Sequence, residues 1–192
     1  FALAVNNAHL DVRVVADVFQ DGVPGYGSIK YVVLGKGPIH KVEDLKGRRV
    51  APNAIGSFGD SSMRVVLHKH NVTDKDVTTI QANFGNMPAM LSEGKVDLIN
   101  LLPQYNHYIS DGQFRVLFYA RDGLGVSQAQ IWAVREDFIK EHRAALVDFF
   151  EDHIRALRWY LDPAHHDEAM KLTESVTKAK PENVAYAFTH DD

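Results

Sequence analysis

Between Tyr31 and Tyr119 the chain alternates short apolar runs with helix-compatible stretches, and small residues close almost every run. Apolar runs fall at 31–34, 49–52, 77–81, 96–101 and 115–119. Runs this short, rich in β-branched residues and bounded by Gly, Pro or Asn, read as buried strands. The segments between them carry helical spacing: Met63, Val66 and Leu67 share one face of a helix over 61–70. Further helices are expected at 87–92 and 104–110, stopped by Gly94 and Gly112. This β-α-β rhythm with short connections predicts an α/β protein whose sheet is mostly parallel, with helices on both faces.

The flanks differ from this centre. Residues 12–19 read as a strand, followed by a turn-forming loop, Asp21-Gly22-Val23-Pro24-Gly25-Tyr26-Gly27. A strand at 130–134 precedes a long amphipathic helix over 144–161, ended by Pro163, and two more helices at 167–176 and 181–189. The expectation is therefore a two-lobed chain. Residues 1–34 and 123–192 form a discontinuous, incomplete lobe 1, and 35–122 form an inserted lobe 2. The chain would cross between them at 31–34 and 130–134, with a ligand cleft between the lobes.

Composition narrows the function. The 192 residues carry 45% hydrophobic and 24% charged residues, which is a globular balance. The net charge of −4 argues against a nucleic-acid partner, which calls for a basic stripe. With no cysteine, the chain holds no disulfide, thiolate zinc site or cysteine nucleophile. Its ten histidines show no His-Glu-x-x-His spacing, and His68 and His70 do not share a helix face, so neither a metal nor another cofactor is expected. No apolar run reaches the roughly 18 residues of a membrane-spanning helix. The apolar start Phe1-Ala2-Leu3-Ala4-Val5 and the abrupt end at Asp192 read as cuts through a longer protein. Acidic pairs such as Glu151-Asp152 and Asp167-Glu168 read as solvated helix faces, so catalysis is not expected.

Three strand ends are candidate binding positions. Gly56-Ser57-Phe58 follows one strand and precedes a helix, where small residues and backbone N–H groups suit an anion. The plainer reading is a strand–helix turn capped by Asp60 or Ser61. Asn86, in Asn83-Phe84-Gly85-Asn86-Met87-Pro88, either caps the next helix or offers its amide to a ligand. Gln104 stands at the third strand end. Trp132 and Tyr26 are candidate aromatic walls, although a tryptophan on a strand is more often core.

The segment Val42-Glu43-Asp44-Leu45-Lys46-Gly47-Arg48-Arg49-Val50-Ala51 resembles a motif of type II periplasmic solute-binding proteins of ABC transporters. Within these it is most similar to the nitrate/sulfonate/taurine-type group. Leu91-Ser92-Glu93-Gly94-Lys95-Val96-Asp97 and Trp132-Ala133-Val134-Arg135-Glu136-Asp137-Phe138 follow in the matching order. Such proteins run to about 300 residues, so this chain lacks part of the pattern. The resemblance implies a two-lobed, monomeric, periplasmic or membrane-anchored protein. It would bind a small organic anion (sulfonate, nitrate or carboxylate) and deliver it to an ABC transporter permease. The aromatic residues tilt the expectation toward an anion with an apolar body. The alternatives are an enzyme on the same fold, of the thiamine-pyrimidine or menaquinone-pathway type, and an effector domain of a transcription regulator.

Overall fold

The computed structural model describes residues 5–7, 9–178 and 181–185. Phe1–Ala4 and the end of the helix expected at 181–189 lie outside the described residues. The chain divides into two compact units. The larger is Phe19–Ala129, and the smaller combines the chain up to Val18 with the chain from Gln130 onward. These divisions differ from the expected 34/35 and 122/123. The segment at 31–34 is not a crossing but an inner strand of the larger unit. The two strands that run across the divisions are β1 (Val12–Asp21) and β7 (Ser127–Arg135), which pair into a two-stranded sheet.

The larger unit is built on five strands: β2 (Lys30–Leu34), β3 (Arg49–Ala51), β4 (Thr78–Thr79), β5 (Leu98–Leu101) and β6 (Phe114–Tyr119). Their order is β4-β3-β5-β2-β6. Strand β3 is parallel to β4 and β5, whereas β2 is antiparallel to both β5 and β6. The sheet is thus mixed, with β2 running against four strands that share a direction. Four of the five strands thus agree with the mostly parallel expectation, and β2 is the exception. A short apolar run such as Tyr31-Val32-Val33-Leu34 buries both faces equally well in either direction, so its pattern carries no polarity.

Side chains alternate across the sheet with period two. Tyr31, Val33, Val50, Leu98 and Phe118 face one core cluster, where they meet Met63, Val66 and Leu67 of α1 (Phe58–Lys69). Val32, Ala51, Ile99 and Phe114 face the other, where they meet Met87 and Leu91 of α2 (Met87–Ser92). Met63, Val66 and Leu67 are at most 2% exposed, each contributing about 1.5–3 kcal/mol by burial. A short α3 (His107–Ser110) and α4 (Ala120–Leu124) complete the unit. Residues 120–124 form a helical turn after β6.

The smaller unit carries α5 (Glu136–Glu141), α6 (Arg143–Tyr160), α7 (His166–Thr177) and α8 (Pro181–Val184). Helix α6 matches the expected long helix. Of the smaller unit's described apolar residues, only Ala169 and Val184 are core, while Val147, Ile154, Leu157 and Leu161 of α6 and its C-cap are exposed.

Candidate anion cradle at the carboxyl edge of the sheet

Strands β3, β4, β5 and β6 all point to one edge of the larger sheet, and β2 starts there, with Lys30 opposite both Leu101 and Tyr119. The loops 52–57, 80–86 and 102–106 emerge at this edge, and 22–29 enters β2 there. In open α/β sheets this is the edge that binds ligands.

Helix α1 begins at Phe58, three residues earlier than its periodicity predicts. Its cap is Ser57, not Asp60 or Ser61. Ser57 Oγ accepts the Asp60 backbone N–H (3.2 Å) and donates to Asn53 Oδ1 (3.0 Å). Asp60, 3% exposed, reaches back to accept the Gly56 N–H (2.8 Å), and Arg64 Nε donates to its other oxygen (2.9 Å). These reciprocal bonds form a capping-box-like clasp. Gly56 adopts φ +78°, a conformation costly for any residue with a Cβ. Arg64 also pairs with Asp74 (2.5 Å), and the paired Asp60 carboxylate foremost raises its guanidinium pKa.

The first two N–H groups of α1, those of Phe58 and Gly59, precede the helix's internal bonding, as at any helix start. A Cβ on Gly59 would stand 3.0 Å from both Asn100 Nδ2 and Asn53 Oδ1, so only hydrogen fits comfortably there. Asn100 sits on β5 and is 2% exposed, and its Oδ1 has no hydrogen-bond partner among the described residues. A buried acceptor without a partner costs about 1–3 kcal/mol. Beneath the same turn, the Tyr31 hydroxyl donates to the Gly59 carbonyl (2.5 Å) and lies 2.6 Å from Ser62 Oγ. Burial pushes that phenol's pKa well above its ordinary value.

The expected site residues separate accordingly. Gly56, Ser57 and Phe58 come together at the start of α1, although the Phe58 ring packs on the core. Asn86 is exposed before α2 and makes no side-chain cap bond. Gln104 is half-buried in a 3-10 turn at the same edge. Tyr26 is exposed in the loop before β2. Trp132 belongs to the smaller unit, where it packs edge-on against Phe149 at 5.4 Å. Sequence reasoning passed over Asn53 and Lys30, and met Asn100 only as the start of the third strand end, 100–105. Lys30 Nζ donates to Asn106 Oδ1 (3.2 Å) and ties β2 to the 102–106 loop. The available signal was a polar residue inside the apolar run Leu98-Ile99-Asn100-Leu101.

The two units and the strand-edge cradle define an α/β protein of the periplasmic-binding-protein fold. The chain belongs to the NMT1/THI5-like family, whose model matches residues 2–166. It is similar to the alkanesulfonate-binding protein SsuA from Xanthomonas axonopodis pv. citri, solved bound to MOPS. That TM-score is 0.74 at 22% identity, covering 98% of this chain and 62% of that one. The periplasmic aliphatic sulphonate-binding protein SsuA from Escherichia coli gives 0.74 at 18% identity, over 99% and 63%. The desulfurization enzyme DszB gives 0.66 at 15% identity, over 98% and 67%. Among curated sequences, a protein of Haemophilus influenzae named for thiamine biosynthesis is 34% identical over 68 residues. That match spans 35% of this chain and 21% of the relative. Among the described residues no helix is long and apolar enough to cross a membrane.

Proposed function

We propose that this chain is part of the solute-binding component of an ABC uptake transporter, acting outside the cytoplasm. It binds a small organic anion, does no chemistry on it, and hands it to a membrane permease. The single observation that carries this reading is the start of α1. There, the first N–H groups of the helix, a glycine whose Cβ would stand 3.0 Å from two side-chain amides, and the buried Asn100 amide lie together at the carboxyl edge of the sheet. The helix dipole adds about half a positive charge. The sulfonate-binding neighbours support the ligand class.

Thermal shift of the full-length protein tests it. Methanesulfonate, ethanesulfonate, an arylsulfonate and matching carboxylates are added in turn. A ligand at a hundred times its Kd stabilises by about 2.7 kcal/mol, which is several degrees at this size. If every sulfonate and carboxylate leaves the melting temperature unmoved, the reading is wrong. A second reading, an enzyme on the same fold, is favoured by the Haemophilus relative's name and by DszB. Recovery of the bound ligand in altered form would select it.

A further inference from the structure

We infer that the apolar face of the smaller unit is the seat of a further segment of this same polypeptide, outside residues 1–192. That segment adds at least one strand to the β1–β7 sheet and packs apolar side chains on α6.

The larger unit closes its own core, and the smaller unit does not. Val147, Phe150, Ile154, Leu157 and Leu161 recur at alternating steps of three and four residues, so they form one stripe along α6 and its C-cap. Such a stripe is the face that a helix turns toward another packed element. Here Val147, Ile154, Leu157 and Leu161 are 43–64% exposed. Ile154, Leu157 and Leu161 line an open groove of about 480 Å³ together with Arg158 and Asp162. The adjoining flank of the helix is occupied by its own unit. Phe149 and His153 lie against Trp132 of β7, at 5.4 and 6.0 Å between ring centroids. Tyr160 Oη lies 3.3 Å from Thr173 Oγ1 on α7.

The sheet is open in the same way. Among the described residues β1 and β7 pair only with each other, so each keeps one edge of unpaired N–H and C=O groups. Val14, Val18 and Trp132 on these strands are exposed as well. Two strands alone are marginal in water and need a third strand or a packed layer. The occupant follows from what is missing. A partner protein covers the surface of a unit that already has a core, whereas the described core of this unit is Ala169 and Val184 alone, and a domain is built around a core. The chain covers 62% and 63% of the two SsuA chains, so more than a third of each has no counterpart here. That length is ample for a strand and an apolar layer. A second copy of the chain is the competing occupant.

Hydroxyl-radical footprinting of the full-length protein reads the access of solvent to Val147, Ile154, Leu157 and Leu161, with the urea-unfolded protein as reference and molar mass followed by light scattering. The monomer is expected to protect these side chains about tenfold, as buried core residues are, instead of the roughly twofold that half-exposed ones would show. Protection that is absent from the monomer and appears only in a dimer assigns the face to a second copy and overturns the proposal. Absence of protection at every concentration overturns it equally. Amide exchange over residues 12–18 and 130–135 tests the added strand: slow exchange at successive residues of at least one strand is expected, and alternating fast amides on both refute it. Leu157→Glu in the full-length protein is expected to lower the melting temperature of the monomer by about 5 °C or more. An unchanged melting temperature refutes packing on α6, and the wild-type footprint decides by itself if that variant does not fold.

Discussion

Replacing Tyr31 with phenylalanine removes one oxygen from the fully buried junction between β2 and the first turn of α1. The ring remains, stacked on Phe118 at 4.6 Å, so little packing is lost. What goes is the donor to the Gly59 carbonyl at 2.5 Å and the contact with Ser62 Oγ at 2.6 Å. Ser62 keeps its own bond to the Phe58 carbonyl at 2.8 Å. A single buried hydrogen bond lost with its partner left in place costs about 1–2 kcal/mol, or roughly 2–8 °C in melting temperature. The phenol also makes stability depend on pH. Its folded pKa is raised above the unfolded value near 10, chiefly by burial. Below about pH 10 both states hold the proton and the contribution is complete. Above it the unfolded chain releases a proton that the folded chain keeps, so unfolding gains about 1.4 kcal/mol per pH unit. Urea denaturation of wild type and Tyr31→Phe at intervals between about pH 8 and pH 11 measures both effects, because the difference cancels every other group. The wild-type advantage is expected to be flat to about pH 10 and then to shrink. A difference that stays constant to pH 11, or that is near zero at pH 8, refutes the burial and bonding assigned to this hydroxyl.

Three further changes probe the same edge. Ser57→Ala removes the acceptor for the Asp60 N–H and is expected to cost about 1 kcal/mol in urea denaturation; a neutral result means Ser57 does not cap α1. Asp21→Ala deletes a fully buried carboxylate that accepts from Ser28 Oγ (2.5 Å) and from the Ile29 N–H (2.8 Å). A loss of about 3 kcal/mol is expected, since buried donors are left unpaired, and a loss under about 1 kcal/mol contradicts that role. Gly59→Ala gains helix propensity of up to about 1 kcal/mol but sets a methyl group against the Asn53 and Asn100 amides. It is expected to keep near-wild-type stability while weakening methyl sulfate binding about tenfold or more; unchanged affinity in calorimetry removes Gly59 from the site.

The alternation of apolar runs and helical spacing made the larger unit legible, because period two and period 3.6 are both printed in side-chain chemistry. Met63, Val66 and Leu67 were assigned to one face and lie together in one core cluster. The direction of β2 was not legible. Val32 and Val33 bury opposite faces whichever way β2 runs, and only the paired register reveals that it opposes β5 and β6. The divisions of the chain were misplaced for the same reason, since an inner strand and a crossing strand can have the same composition.

The cradle was half legible, and the missing half is of one kind. Gly56 and Ser57 announce themselves locally, as small residues between a strand and a helix. Gly59 does not, since a glycine near a helix start reads as the end of a loop. Its reason for being glycine lies in Asn53, six residues back, and in Asn100, forty-one residues on. Asn100 in turn looks like a blemish in an apolar strand until its neighbour is known. A buried asparagine facing a helix start is costly for folding alone, because its oxygen goes unpaired. Cost carried at one position, beside a glycine that keeps the space open, supports the proposed binding role of this edge. That pairing, seated at the helix start, is what the proposed function rests on.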